Sequence, residues 1–277
     1  MVVHGHLLCR NEIELVPFVM DYWKRLGVDR LFVWDNGSTD GTIEALKAYD
    51  FVTIIPFASE GGYNDEYLLT TVRNLGWKRM SKDVADWVIV SDFDEVPYFI
   101  GRNDKKDPSF KVSNYEDFPD FDGETFRDWL EFLDDEKVSI VRTRMHQLIR
   151  KDFPEYKPNE LMHTYEGGRY YDENHRFDKT LLFNCKKVEE TNYQLGAHDA
   201  QFIARGLFME YPSQYCMFHL KYLGEDYVIN KSKRLYDNLR PDIKEGNVID
   251  SHYLKLIEDY QFYADMFWNN GYDKNIE

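Results

Sequence analysis

Along the first hundred positions the apolar residues switch repeatedly between two periods. A short run over 2–9, with Val2, Val3, Leu7 and Leu8, reads as a buried strand. Past Asn11 and Glu12 the period lengthens. Leu15, Phe18, Val19, Tyr22, Trp23 and Leu26 recur at helical spacing, and Gly27 stands where a left-handed cap ends a helix. The cycle then repeats: L-F-V-W over 31–34 predicts a second strand, and a polar stretch from Asp35 to Thr42 leads into I-E-A-L-K-A-Y. Ser38, Thr39 and Asp40 are the candidate N-caps of that helix. A third strand is predicted over 51–55, closed by Pro56, then a helix over 66–80 and a fourth strand over 87–90. Strands alternating with helices at this spacing imply an α/β fold with a parallel, doubly wound sheet, whose ligands bind at the carboxyl ends of the strands.

The second half has a different texture. Residues 101–123 are polar, acidic and turn-rich, which predicts a long loop, a feature that in a compact domain is usually a functional lid. A helix follows at 124–133, an alternating strand pattern over 138–149 and a short strand over 180–183. Two amphipathic helices are predicted at 225–239 and 248–268. In the second, Ile249, Tyr253, Leu256, Tyr260, Tyr263 and Phe267 form one stripe. Its polar face lacks the Lys and Arg enrichment of a membrane-surface helix, so the stripe packs on the core or against a second subunit as a homodimer.

Composition narrows the partners. With 43% hydrophobic and 16% aromatic residues in 277, the chain can bury a sizeable core. A net charge of −16 argues against nucleic acid and against anionic membranes. It also sets a condition: a phosphate ligand needs a metal or a local group of Arg and Lys to overcome the acidic field. Cys9, Cys185 and Cys216 are too few and scattered for a disulfide framework or a zinc site. Reduced thiols, an opening run too short for a signal peptide and no stretch of membrane-spanning length together predict a cytoplasmic protein.

The candidate chemistry lies in V-I-V-S-D-F-D-E-V-P, 88–97. An apolar run ends in clustered carboxylates, delivering Asp92 and Asp94 to a sheet edge. Two residues apart, they share a side if the strand geometry persists, and they repel unless something positive sits between them. A hard divalent cation holding phosphate oxygens is the usual resolution, and a solvated turn the simpler alternative.

Four stretches together resemble family 2 glycosyltransferases and their relatives of the GT-A fold. Cys9-Arg10-Asn11-Glu12 is similar to that family's N-E. Asp35-Asn36-Gly37-Ser38-Thr39-Asp40-Gly41-Thr42 is nearly its D-x-G-S-T-D-G-T. Val72-Arg73-Asn74-Leu75-Gly76 is similar to A-R-N-x-G, and Asp92-Phe93-Asp94-Glu95 takes the D-x-D place. Farther on, Gly196-Ala197-His198 and Phe218-His219-Leu220 followed by Lys231 resemble a branch with a late histidine.

The resemblance implies a GT-A type doubly wound mixed sheet flanked by helices, with C-terminal helices. It divides the chain into a domain at 1–224 (a nucleotide-binding half at 1–100, an acceptor half at 101–224) and a helical extension at 225–277. It implies a metal-dependent hexosyltransferase moving a sugar from a nucleotide-diphosphate donor, UDP-linked by preference, to a glycan or other hydroxyl with inversion. Mn²⁺ or Mg²⁺ would bridge the two phosphates as a Lewis acid. Asp94 would be the direct ligand, Asp92 would lie nearer ribose and sugar, and His219 would complete the shell. Asp35 would bind the base or ribose, with Cys9, Arg10, Asn11 and Glu12 lining the base pocket; a turn role for Asp35 and a capping role for Asn11 are the alternatives. Arg73 would orient the carboxylates or reach the donor. Lys221 and Lys231 are candidates to neutralise the leaving diphosphate. Deprotonating the acceptor falls to Asp199 or to His198 beside it, with Glu95 a weaker candidate. Two readings compete: a phosphohydrolase with an aspartyl nucleophile in D-F-D-E-V, and a sugar- or nucleotide-binding module with a degenerate site.

Overall fold

The computed structural model describes residues 1–57, 66–99, 123–158, 160, 168–171, 175–212 and 214–239. Its first half runs β1 (Val3–Cys9), α1 (Val16–Leu26), β2 (Arg30–Asp35), α2 (Thr42–Leu46), β3 (Val52–Pro56), α3 (Glu66–Met80), β4 (Trp87–Asp92) and β5 (Glu95–Phe99). The periodicity placed each of the helices and the first four strands, and α2 is the shorter for ending at Leu46 rather than running to Tyr49. The N-cap of α2 is Gly41, in the left-handed region at φ 98°, and not one of the three expected residues; Asp40 lies one residue before it, its Oδ1 accepting the Thr42 N–H at 3.0 Å. Gly27 closes α1 in the left-handed region at φ 73°. The loop expected at 101–123, apart from Gly123, and the helix expected at 248–268 lie outside the described residues.

The second half runs α4 (Gly123–Asp135), β6 (Val138–Arg150), β7 (Gly168–Tyr171), β8 (Lys179–Asn184), β9 (Val188–Glu190), β10 (Ile203–Ala204), β11 (Leu207–Glu210), β12 (Tyr215–Leu223) and α5 (Glu225–Asp237). The main sheet is ordered β3-β2-β1-β4-β8-β6-β12-β5, with β7 and β11 also pairing to β6. From β3 to β4 every pairing is parallel; β8 then lies antiparallel to both β4 and β6. This is the mixed sheet that the resemblance implied.

Helices cover both faces, and the alternation along β4 shows how. Trp87 and Ile89 join the cluster that contains Trp23, Tyr22 and Leu26 of α1, whereas Val88 and Val90 join Trp77 of α3. Successive strand residues point to opposite faces, so an almost unbroken apolar strand is what a sheet covered on both sides requires. Gly5 serves close packing here: a Cβ on it would sit 2.5 Å from the Trp23 ring.

This winding fixes the site. From β1 the chain moves outward through β2 and β3, then returns to place β4 on the other side of β1. The connections leaving β1 and β4 therefore diverge, and a crevice opens at their carboxyl ends, where doubly wound sheets bind ligands. Cys9–Glu12 and Asp92–Glu95 are the segments that leave those two strands. No helix among the described residues is long and apolar enough to cross a membrane.

Candidate active site

At that crevice lies a cavity of about 270 Å³, bordered by Cys9, Arg10, Glu12 and Asn36 on one side and by Asp92, Asp94 and Glu95 on another. Arg73, Lys179, His198, His219, Lys221 and Lys231 complete its polar lining.

The turn carrying the carboxylates is built by its neighbours. Strand β4 stops at Asp92 and β5 begins at Glu95, which pairs with His219 of β12 instead of continuing beside β1. Phe93, 1% exposed, plugs the turn into the core. Glu95 Oε2 accepts the Asp92 N–H at 3.2 Å, and its carbonyl accepts the Ser91 hydroxyl. Strand geometry thus ends before Asp94, so the continued strand that would align the two aspartates is absent, though both line the cavity. Each meets its own basic partners. Asp92 is held by Arg73 through Oδ1 and by Lys179 through Oδ2 at 3.2 Å. Asp94 Oδ2 faces Lys231 at 3.0 Å and His219 Nε2 at 3.4 Å.

The electrostatics follow from these pairs. Burial would push both aspartates up, but Arg73 and then Lys179 hold Asp92 below the usual carboxylate range, and Lys231 and then His219 hold Asp94 well below it. Burial would likewise discharge Lys179, yet Glu95 and Asp92 keep it above the ordinary lysine value. Lys231 is raised further by Asp94 and Glu12. Glu12 moves the other way: burial, only partly offset by Lys231, pushes it up to about 7. Lys221 falls to about 8, chiefly through burial, against the pull of Asp94. His198 rims the opening, and desolvation by the cavity wall, followed by Lys179 and His219, lowers it. It is therefore neutral at pH 7.

The two motif segments of the first half are stitched together. Asn11, in the left-handed region at φ 54°, accepts the Thr39 N–H at 2.7 Å through its side chain and donates its own N–H to Ser38 Oγ at 2.9 Å. The Glu12 N–H meets Thr42 Oγ1 at 2.8 Å, and the Ile13 N–H meets Asp40 Oδ2 at 3.1 Å. Asp35 turns its carboxylate onto the Gly37 and Ser38 N–H groups and the Ser38 hydroxyl. Asp35 thus takes the turn role that was its alternative to ligand contact; Asn11 does not cap α1, whose N-cap is Leu15, but ties to the Thr39 backbone, and Asn36 and Glu12 line the cavity beside them. Arg10 reaches Asn238 Oδ1 at 3.1 Å through Nη2; its buried Nε and Nη1 have no hydrogen-bond partner among the described residues.

Asn74 has a comparable role on the other side. Its Oδ1 accepts the Tyr193 N–H and the Thr191 hydroxyl, each at 2.8 Å, and its Nδ2 donates to the Tyr193 carbonyl at 3.1 Å. An amide used this way imitates a strand partner, and it fixes the segment that bears His198. Gly76, two residues further along α3, lets the helix sit against Trp34, whose ring lies 2.7 Å from where a Cβ would be. Asp199 is exposed and is not among the cavity-lining residues, and its carbonyl accepts the Gln194 N–H at 2.9 Å. Glu95, 1% exposed, lines the cavity and is bound to Lys179 at 2.5 Å. Lys179 was not singled out from the sequence. The available signal was a charged residue standing at the head of an apolar strand, K-T-L-L-F.

The residues fit a divalent ion poorly. Among the described residues no three His, Cys, Asp or Glu side chains are grouped to hold one. Both oxygens of Asp92 and the Oδ2 of Asp94 are already turned to Arg73, Lys179 and Lys231.

Residues 11–151 match the model of glycosyltransferase family 92. The chain belongs to that family. The sequence motifs pointed to glycosyltransferases through family 2; the family shown is 92. A comparison with curated proteins gives no match. Solved structures similar to this family 92 chain include glucosyl-3-phosphoglycerate synthase from Mycobacterium tuberculosis, in complex with Mn²⁺, UDP and phosphoglyceric acid. It is 20% identical over 52% of this chain and 43% of that one, with a TM-score of 0.30, so the match spans less than half of that enzyme. HddC from Yersinia pseudotuberculosis, complexed with GMP-PN, is 12% identical over 82% and 96% of the two chains, with a TM-score of 0.39. 4-Diphosphocytidyl-2C-methyl-D-erythritol synthase from Anaerococcus prevotii is 12% identical over 67% and 70%, with a TM-score of 0.33.

Proposed function

We propose that this family 92 chain transfers a sugar from a nucleotide-diphosphate donor, UDP-linked by preference, to an acceptor hydroxyl with inversion. The observation that supports this most is the local charge of the cavity. In a chain of net charge −16, its lining gathers Arg10, Arg73, Lys179, Lys221 and Lys231 against only four carboxylates. The excess is positive at the place where the sheet opens, which suits a diphosphate. Arg10, with two unpartnered N–H-bearing nitrogens among the described residues, and Lys221 are the groups that would meet its oxygens.

His198, neutral at the rim, is the base in this reading. The acceptor oxygen attacks the anomeric carbon as its proton passes to the imidazole, and the bond from that carbon to the β-phosphate oxygen breaks. The electron pair leaves with the nucleoside diphosphate, whose charge the cationic lining stabilises. Asp199, outside the lining, has no part in this step.

A panel of UDP-, GDP- and dTDP-sugars tests the reading, with melting temperature and release of free sugar measured together. One donor should raise the melting temperature, because a ligand bound only to the folded state stabilises it by mass action, and that donor should be slowly hydrolysed. No shift with any donor would remove the proposal's support. A second expectation concerns pH. With Lys221 at about 8, it loses its proton as pH rises through that value, so donor affinity should fall between about pH 7.5 and 9. In Lys221→Met the affinity should be lower at pH 7 and flat across the range, as isothermal titration calorimetry would read it.

A further inference from the structure

We propose that Lys231 is the resident cation of this site, occupying the position a divalent ion would take against Asp94, so that the donor binds without a metal. The last clause rests on the transferase reading; the placement of Lys231 does not.

An ammonium group has three N–H bonds to give, and Lys231 has three acceptors. Glu12 Oε1 lies at 2.9 Å, Asp94 Oδ2 at 3.0 Å and the Tyr227 hydroxyl at 3.3 Å. The side chain is 9% exposed and rises from α5, one turn beyond Tyr227, so the helix itself delivers the charge. Glu12 comes from the end of β1 and Asp94 from the turn after β4. Lys231 therefore bridges the two segments that diverge at the crevice, which is where a metal ion would otherwise tie a sheet to its ligand. Asp92 offers no alternative seat, because Arg73 and Lys179 take one oxygen each.

A divalent ion taking Asp94 Oδ2 would have to displace an ammonium that Glu12 holds as well. It would then stand beside that ammonium in a medium of low dielectric, where like charges repel strongly. Metal and Lys231 are thus competitors for one place. The competition gives Lys231 a measurable signature that does not depend on turnover.

Mn²⁺ binding followed by electron paramagnetic resonance, with and without UDP, tests this in the wild type and in Lys231→Met. The wild type should hold no Mn²⁺ that depends on Asp94. Lys231→Met should gain roughly tenfold or more in Mn²⁺ affinity, and Asp94→Asn in the same background should remove the gain. Equal affinity in wild type and Lys231→Met overturns the proposal, as does stoichiometric binding in the wild type that Asp94→Asn abolishes. Since Lys231→Met leaves two buried carboxylates unpaired, the double variant Glu12→Gln/Lys231→Met provides the same readout with one of them removed. Calorimetry with UDP separates the two readings. Equal UDP affinity in EDTA and in Mn²⁺ supports a metal-free site, and binding only with Mn²⁺ overturns it. UDP bound in neither condition counts against the transferase, and the Mn²⁺ titration still decides the place of Lys231.

Discussion

Lys179→Met should destabilise the fold by about 3–5 kcal/mol at pH 7, the usual cost of stripping one partner from a buried ion pair. Lys179 and Glu95 expose only 6% and 2% of their side chains, and their charged atoms lie 2.5 Å apart. Asp92 keeps Arg73 after the substitution, but Glu95 keeps no salt-bridge partner among the described residues. The penalty is that of an uncompensated carboxylate beneath the site. Urea unfolding should show it as a lower midpoint with an unchanged slope. The double variant Lys179→Met/Glu95→Leu, in which both charges are gone, should regain most of the loss. If single and double variants fall equally, packing around the lysine stem, not charge, sets the stability.

The second large effect is acid sensitivity from a buried histidine on the opposite side of β1 from α1. Trp34 donates to His6 Nδ1 at 3.1 Å, so His6 carries its proton on Nε2 and donates to Ser81 Oγ at 2.8 Å. The Ser81 hydroxyl in turn donates to His4 Nδ1 at 2.9 Å. Every hydrogen in this chain is spoken for, and a second proton on His6 would have no acceptor. Burial, with His4 adding to it, accordingly lowers His6 to about 3. An unfolded histidine titrates near 6.5, so below that pH the unfolded chain binds a proton that the folded chain refuses. Stability from this group is complete above about 6.5 and is lost as pH falls toward 3, at about 1.4 kcal/mol per unit, or on the order of 4–5 kcal/mol in all.

Glu12 acts in the opposite sense. Raised to about 7, it takes up its proton in the folded state first, and so it adds stability as pH falls from 7 toward its ordinary range. A pH series of urea unfolding on wild type and His6→Gln separates the two, because Glu12 contributes equally to both proteins. The difference between the curves should shrink steadily from pH 6.5 to pH 4. A constant difference would mean that His6 is not held neutral.

The first half of the fold was legible because its signals are local. An apolar run, a helical stripe and a capping glycine each declare themselves within a dozen residues, and their alternation dictates the parallel winding. The site was legible as a place and less so as a set of roles. Asn11 and Asp35 stand in motifs that imply ligand contact, yet their polar groups close turns against Ser38, Thr39 and Gly37. Spacing cannot say whether a short polar side chain faces outward to a ligand or inward to a backbone N–H. Lys179 and Lys231 were harder still. Their partners are 84 residues away at Glu95, and 137 and 219 residues away at Asp94 and Glu12. Only the folded sheet brings those charges together, and no periodicity records it.

That separation also orders the protein's birth. Glu12 and Asp94 leave the ribosome long before Lys231, 219 and 137 residues ahead of it. A nascent chain can pair β1 with β2 and β4 while these two carboxylates still face each other without their cation. Domains generally fold as units, and these two carboxylates meet their cation only once α5 has been made. The charge that closes the site is among the last parts of the described chain to arrive.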